Sequence, residues 1–237
     1  MLTLLSQRYT YPPEQDSALF TVVNYNTSFY QYSQENNFVW DHRGFNTIIK
    51  GEASTFLNCT ADYDCSGDPR LLLNTIVTNI TYSDTGVTVT NDDGSCIEAE
   101  YAICTFSLGV LQHEVVSFDP PLPDWKKTSI ATFQMGTYTK IFMQFPPDQV
   151  FWNTSVQFFL YADPITRGYY PLFQSLDGEG FHPGSGILFV TVVDVQSYTA
   201  EAQDDETTKQ QILKVLRTMY GAENVPEPIA FMYPRWR

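Results

Sequence analysis

Residues 137–145 read TYTKIFMQF, and their alternation of polar and apolar side chains is the pattern of a β-strand with two unlike faces. The period of two puts Tyr138, Lys140 and Phe142 on one face. A lysine between two aromatic residues is either an ordinary charge leaning into water or a group held in place for chemistry. The residues alone leave both readings open, and the solvent-facing one is the commoner.

Working outward, VQFFLYA (156–162), YYPLFQSL (169–176) and ILFVTVVDV (187–195) read as further strands. The last is almost continuously apolar, which predicts a central strand covered on both faces. DDETTKQQILKVLRTMYG (204–221) predicts an amphipathic helix. It is acidic at its start, basic towards its end and closed by Gly221, as the helix dipole and C-cap geometry prefer. A short strand in PIAFMYPRW (228–236) follows.

Upstream, residues 71–106 carry β-branched runs broken at SDTG (83–86) and NDDGS (91–95), which predicts a three-stranded meander. The prolines of DPPLPDWKKTSIATF (119–133) forbid regular structure until Pro123, after which Asp124 favours a helix start. GFNTIIKGEASTFL (44–57) sets Phe45, Ile48, Ile49 and Phe56 at helical spacing, after a turn supplied by Gly44. The order is helix, meander, helix, sheet, helix, strand, which predicts a mixed α+β fold without repeats.

The chain has 237 residues, and 27 acidic against 13 basic side chains give a net charge of −14. Such a surface argues against nucleic acid or anionic membrane as partner and favours cationic ones. No apolar run reaches the roughly 20 residues that span a bilayer. Sequons at Asn26, Asn58, Asn79 and Asn153 lean towards an extracellular or secretory destination. Cys59 and Cys65 flank a short polar loop and could close a disulfide ring, whereas Cys96 and Cys104, in strand-like text, are expected as buried free thiols. The cysteine spacings and the scattered His42, His113 and His182 give no metal site.

Several stretches together resemble the flavin-dependent amine oxidases, and most closely the polyamine oxidases. These are FVWDHRGF (38–45), LLLNTIVTNITYSDTGVTV (71–89), SLGVLQ (107–112), FDPPLPDWKKTSI (118–130), YTKIFMQFP (138–146) and YPRW (233–236). The resemblance implies FAD as cofactor, and as partners a small amine or polyamine with dioxygen. It implies that Lys140 holds a water near the flavin and that Tyr138 stands beside it in the substrate tunnel. It further implies that Trp236 packs near the flavin ring and that the backbone of Val77 touches the adenine end. Plant members of the family place a tunnel carboxylate where Tyr11 stands, with Glu14 nearby. Asp41 and Arg43 read as an ion pair or a turn anchor.

The glycine-rich strand–turn–helix that cradles a dinucleotide does not occur, since GEGFHPGSG (178–186) has another spacing and context. The chain therefore reads as an internal fragment, expected to be colourless and inactive alone. By the same resemblance, residues 1–66 are a helical and loop part of the substrate domain, 67–115 a meander of an incomplete FAD-binding domain, and 116–237 the substrate domain. The alternative reading is a non-catalytic secreted glycoprotein domain that keeps the scaffold for binding.

Overall fold

The computed structural model describes residues 42–236 together with Ser17 and Leu19. Tyr11, Glu14, Asn26 and Asp41 lie outside the described residues. Contacts group residues 37–135 into one unit, and residues 1–36 with 136–237 into another.

In the unit of residues 37–135, α1 spans Asn46–Ala53, after Gly44 at φ +75°. It is shorter than the pattern over 44–57 predicts, and Phe45, Ile48, Ile49 and Phe56 are all exposed. Cys59 and Cys65 form the expected disulfide. The loop after it is held by Asp68, whose side chain is fully enclosed. This carboxylate accepts from the Arg70 guanidinium at 2.7 Å and from the N–H groups of Asn58 and Arg70. Those hydrogen bonds, the one from the Arg70 side chain foremost, hold its pKa well below the usual carboxylate range.

The meander is present as β1 (Val77–Ser83), β2 (Gly86–Asn91) and β3 (Cys96–Ala99), paired antiparallel. A fourth strand, β4 (Ser117–Asp119), pairs parallel to β1, giving the order β3-β2-β1-β4. The link runs through α2 (Leu108–Gln112), capped by the Ser107 hydroxyl, and α3 (Asp124–Thr132) follows β4. Gln112 donates from Nε2 to the carbonyls of Ile130 and Phe133, closing α2 onto the end of α3. The apolar centre is small: Ile80, Val87 and Val116, with Val77, Tyr82, Val89, Phe106, Val110 and Phe118 against them. Cys96 and Cys104 are free as expected, but both are exposed rather than buried. The reason is position: Cys96 opens edge strand β3, every residue of which is exposed, and Cys104 lies in the irregular segment between β3 and α2 rather than in a strand.

The second unit is built on β5 (Tyr138–Gln144), β6 (Phe158–Leu160), β7 (Leu172–Ser175), β8 (Ile187–Val193) and β9 (Ala230–Met232). The order is β6-β7-β8-β5-β9 with antiparallel neighbours, so β8 is the middle strand, as its apolar run predicts. One sheet face carries Ile141, Met143, Leu188, Val190, Val192 and Phe173. It packs on Ile212, Leu213, Val215 and Leu216 of α5 (Asp205–Tyr220). Each such side chain removed from water contributes roughly 1.5–3 kcal/mol. The α5 helix starts where the Asp204 carboxylate accepts from Thr207 N–H at 2.8 Å, and it ends at Gly221, φ +91°.

Between β8 and α5 lies α4 (Asp194–Ala202), which the sequence pattern missed. Its buried residues are only Ser197 and Ala200, too small to write a hydrophobic stripe but able to let the helix lie close to the sheet.

The glycine-rich stretch 178–186 is a connection between β7 and β8. Gly186 sits at φ +63°, and a Cβ there would fall on the Phe145 carbonyl oxygen, while its own carbonyl accepts from Phe145 N–H at 2.8 Å. Gly186→Ala is expected to lower stability by about 3 kcal/mol. Urea unfolding followed by far-UV circular dichroism measures this, and a loss below 1 kcal/mol would contradict the close approach.

Candidate functional site

Along β5 the burial alternates. Thr139, Ile141 and Met143 are buried against the helices, while Tyr138, Lys140, Phe142 and Gln144 are half-buried on the other face. Pairing with β8 puts Val193 opposite Tyr138, Thr191 opposite Lys140 and Phe189 opposite Phe142. The period of two along β5 keeps the predicted pair on one face, and the register with β8 adds Phe189 to it. The Lys140 ammonium lies 5.8 Å from the centre of the Tyr138 ring and 5.0 Å from that of Phe189. Phe142 stacks on Phe189 with ring centres 5.0 Å apart.

Burial pushes the Lys140 ammonium below its ordinary pKa of 10.5, because desolvation costs the charged form most. The Tyr138 hydroxyl is pushed up by burial, partly offset by a hydrogen bond with Thr191. Two aromatic faces give the ammonium a cation–π environment. A lysine held in this way is suited to donate to, or accept from, a small polar group on this face.

Trp236 lies in the same unit and is 71 % exposed, so it is not a core aromatic. The turns of chain before it are fixed firmly. Tyr233 is buried and donates its hydroxyl to the Ala200 carbonyl at 2.9 Å. Arg235 pairs with Asp205 at 2.6 Å, donates to the carbonyls of Glu201 and Gln203, and stacks on the Tyr233 ring at 4.3 Å. A cation thus satisfies orphan carbonyls at the C-terminal end of α4. The sequence pattern assigned no role to Tyr233, Arg235 or Glu201. The only local signal was the dense YPRW itself.

Val77 is half-buried at the start of β1 in the other unit, opposite Asn91, where the register with β2 slips before Asn79. Of the described sequons, Asn58 and Asn153 are exposed, and Asn153 accepts from Ser155 N–H in an Asx turn. Asn79 sits inside β1 with its amide bonded to Thr81 and Ser117. Among the described residues no group of three or more metal-ligating side chains occurs, and no helix is long and apolar enough to cross a membrane.

The fold is that of solved amine oxidases. Wild-type putrescine oxidase bound to putrescine superposes with a TM-score of 0.57 at 20% identity, over 71% of this chain and 35% of that one. Cyclohexylamine oxidase from Brevibacterium oxydans gives 0.53 at 19% identity, over 70% of this chain and 34% of the other. The family model for flavin containing amine oxidoreductase matches residues 13–237, and the chain belongs to that family. It is 39% identical over 227 residues to polyamine oxidase 1 of Zea mays, covering 95% of this chain and 44% of the relative. Polyamine oxidase 6 of Oryza sativa subsp. japonica is 39% identical over 211 residues, 88% of this chain and 41% of the relative. The chain thus spans about two fifths of the length of the curated relatives it matches.

Proposed function

We propose that this chain carries the lysine-bearing, substrate-side part of an FAD-dependent oxidase of amines, with polyamines as the preferred class. The reading rests on one observation above others: Lys140 is half-desolvated between Tyr138 and Phe189, with no carboxylate pairing it among the described residues. A lysine kept at that cost, without an ion pair to recover it, is more consistent with a functional than a structural role.

The donor set fits the ring end of a flavin. Lys140 offers a proton-carrying nitrogen on a sheet face, and Trp236 offers an exposed indole that a planar ring could cover. The described residues offer no glycine-rich cradle for the pyrophosphate. When bound, FAD would supply the two-electron acceptor for oxidation at the carbon next to nitrogen, with dioxygen as the final oxidant and hydrogen peroxide as its product.

The rest falls to the chain. Lys140, its charged form disfavoured by burial, holds a water by hydrogen bond and can take or return a proton there. Tyr138 and Phe189 wall the same spot, excluding bulk water and aligning an aliphatic amine along their rings. Addition of water to the imine then gives aldehyde and free amine. The net charge of −14 draws in a polycation at long range. A secretory route is part of the proposal, supported by the Cys59–Cys65 disulfide and the exposed sequons at Asn58 and Asn153.

The experiment is a chimera in which this chain replaces its matched segment of the Zea mays relative. Expected are a yellow protein after desalting and peroxide release with spermidine or spermine. A yellow chimera that releases no peroxide with any di- or polyamine would overturn the reading and favour a binding scaffold.

A further inference from the structure

We propose that Glu201 is a positioning residue that ties the strand of Lys140 to Trp236, so that the two groups are set by one carboxylate. The functional sense of this rests on the oxidase reading above, while the physical coupling stands on geometry within a single unit.

Thr139 lies between Tyr138 and Lys140 and points the opposite way, into the interface with α4, where it is fully buried. Its hydroxyl donates to Glu201 Oε1 at 2.6 Å. A carboxylate can only accept, so the single Thr139 proton is committed there, and the Ser197 hydroxyl at 2.6 Å must donate to Thr139. The hydroxyl chain runs Ser197 to Thr139 to Glu201. The other carboxylate oxygen, Oε2, accepts from the backbone N–H of Trp236 at 3.1 Å.

One side chain therefore holds β5 at the point where Lys140 leaves it and also the backbone that carries the indole. These elements are 97 positions apart in sequence, and β9, which pairs with β5, stops at Met232. Beyond Met232 the chain is clasped through Tyr233 and Arg235, and among the described residues the Trp236 N–H is held by the Glu201 oxygen. A purely local cap would use one oxygen on its own helix. Glu201 uses both on other elements, and charge-assisted bonds of this kind are the stronger class.

The test is amide hydrogen exchange of Trp236 by NMR in the ¹⁵N-labelled chain, which needs no flavin. Glu201→Ala is expected to speed that exchange by about tenfold or more. Glu201→Gln, of the same shape but with a single acceptor oxygen, is expected to do so by a smaller factor and guards against a misfolded alanine variant. The decisive variant is Thr139→Val, which touches Glu201 but not Trp236. It is expected to speed Trp236 exchange by about threefold in the wild-type background and to add nothing in the Glu201→Gln background. Unchanged Trp236 exchange in Thr139→Val, or an equal effect in both backgrounds, would overturn the coupling. A chimera that fails to oxidise amines would leave these exchange results standing and remove only the functional reading.

Discussion

Lys140→Met in the polyamine oxidase chimera is expected to lower peroxide-releasing turnover by about 100-fold, the usual scale for losing a positioned proton-transfer group. It is also expected to make the protein slightly more stable, because methionine fills the place between Tyr138 and Phe189 without a charge to desolvate. The pH dependence separates this from a general packing effect. Burial lowers the Lys140 pKa below 10.5 in the folded chain, so the unfolded chain holds that proton more tightly. The penalty on the folded state is fully present below the folded pKa. It is relieved as pH rises from there towards 10.5, so this lysine's contribution to stability increases with pH. The advantage of Lys140→Met in urea unfolding is therefore expected to be larger at pH 7 than at pH 10. Unchanged turnover would remove the lysine from the chemistry. A stability difference that does not move with pH would mean that burial does not tax its charge.

The second large effect is structural. Phe145 follows β5, is fully buried, and meets Phe151 and Trp152 edge-on at 5.0 and 5.8 Å between ring centres. Its backbone N–H is held by Gly186 and its neighbours are themselves in close contact, so the hole left by truncation has little to collapse into it. Phe145→Ala is expected to cost about 4 kcal/mol. That is a large share of the stability of an ordinary domain. Urea or thermal unfolding measures it, and a loss below 2 kcal/mol would show that Phe151 and Trp152 close the gap. Since Phe145 anchors the end of the strand that carries Lys140, a partly folded variant is expected to lose turnover as well as stability.

Much of this fold was legible because its longest elements carry their period openly. The middle position of β8 followed from ILFVTVV, and α5 followed from its amphipathic pattern, acidic start and closing Gly221. Elements held by few or small contacts were not legible. α4 buries only Ser197 and Ala200, and β4 is three residues long and joins β1 in parallel after an intervening helix. Cys96 and Cys104 misled for a related reason: a β-like sequence did not say that the strand of Cys96 ends on an edge or that Cys104 falls in no strand. The candidate site was legible in part. Tyr138 and Lys140 share a face by the period of two alone, whereas Phe189 and Glu201 enter from segments some fifty to sixty positions later.

By itself, then, the sequence determined the mixed α+β class, the disulfide and the face of β5 on which Lys140 stands. These depend on local periodicity, capping and short loop closure. Only the tertiary structure decided that β8 brings Phe189 and Thr191 beside that lysine, and that Glu201 reaches both Thr139 and Trp236. Strand register and helix docking are settled by burying the most apolar surface while pairing buried hydroxyls such as those of Thr139 and Ser197, and that balance is struck between segments no local pattern connects.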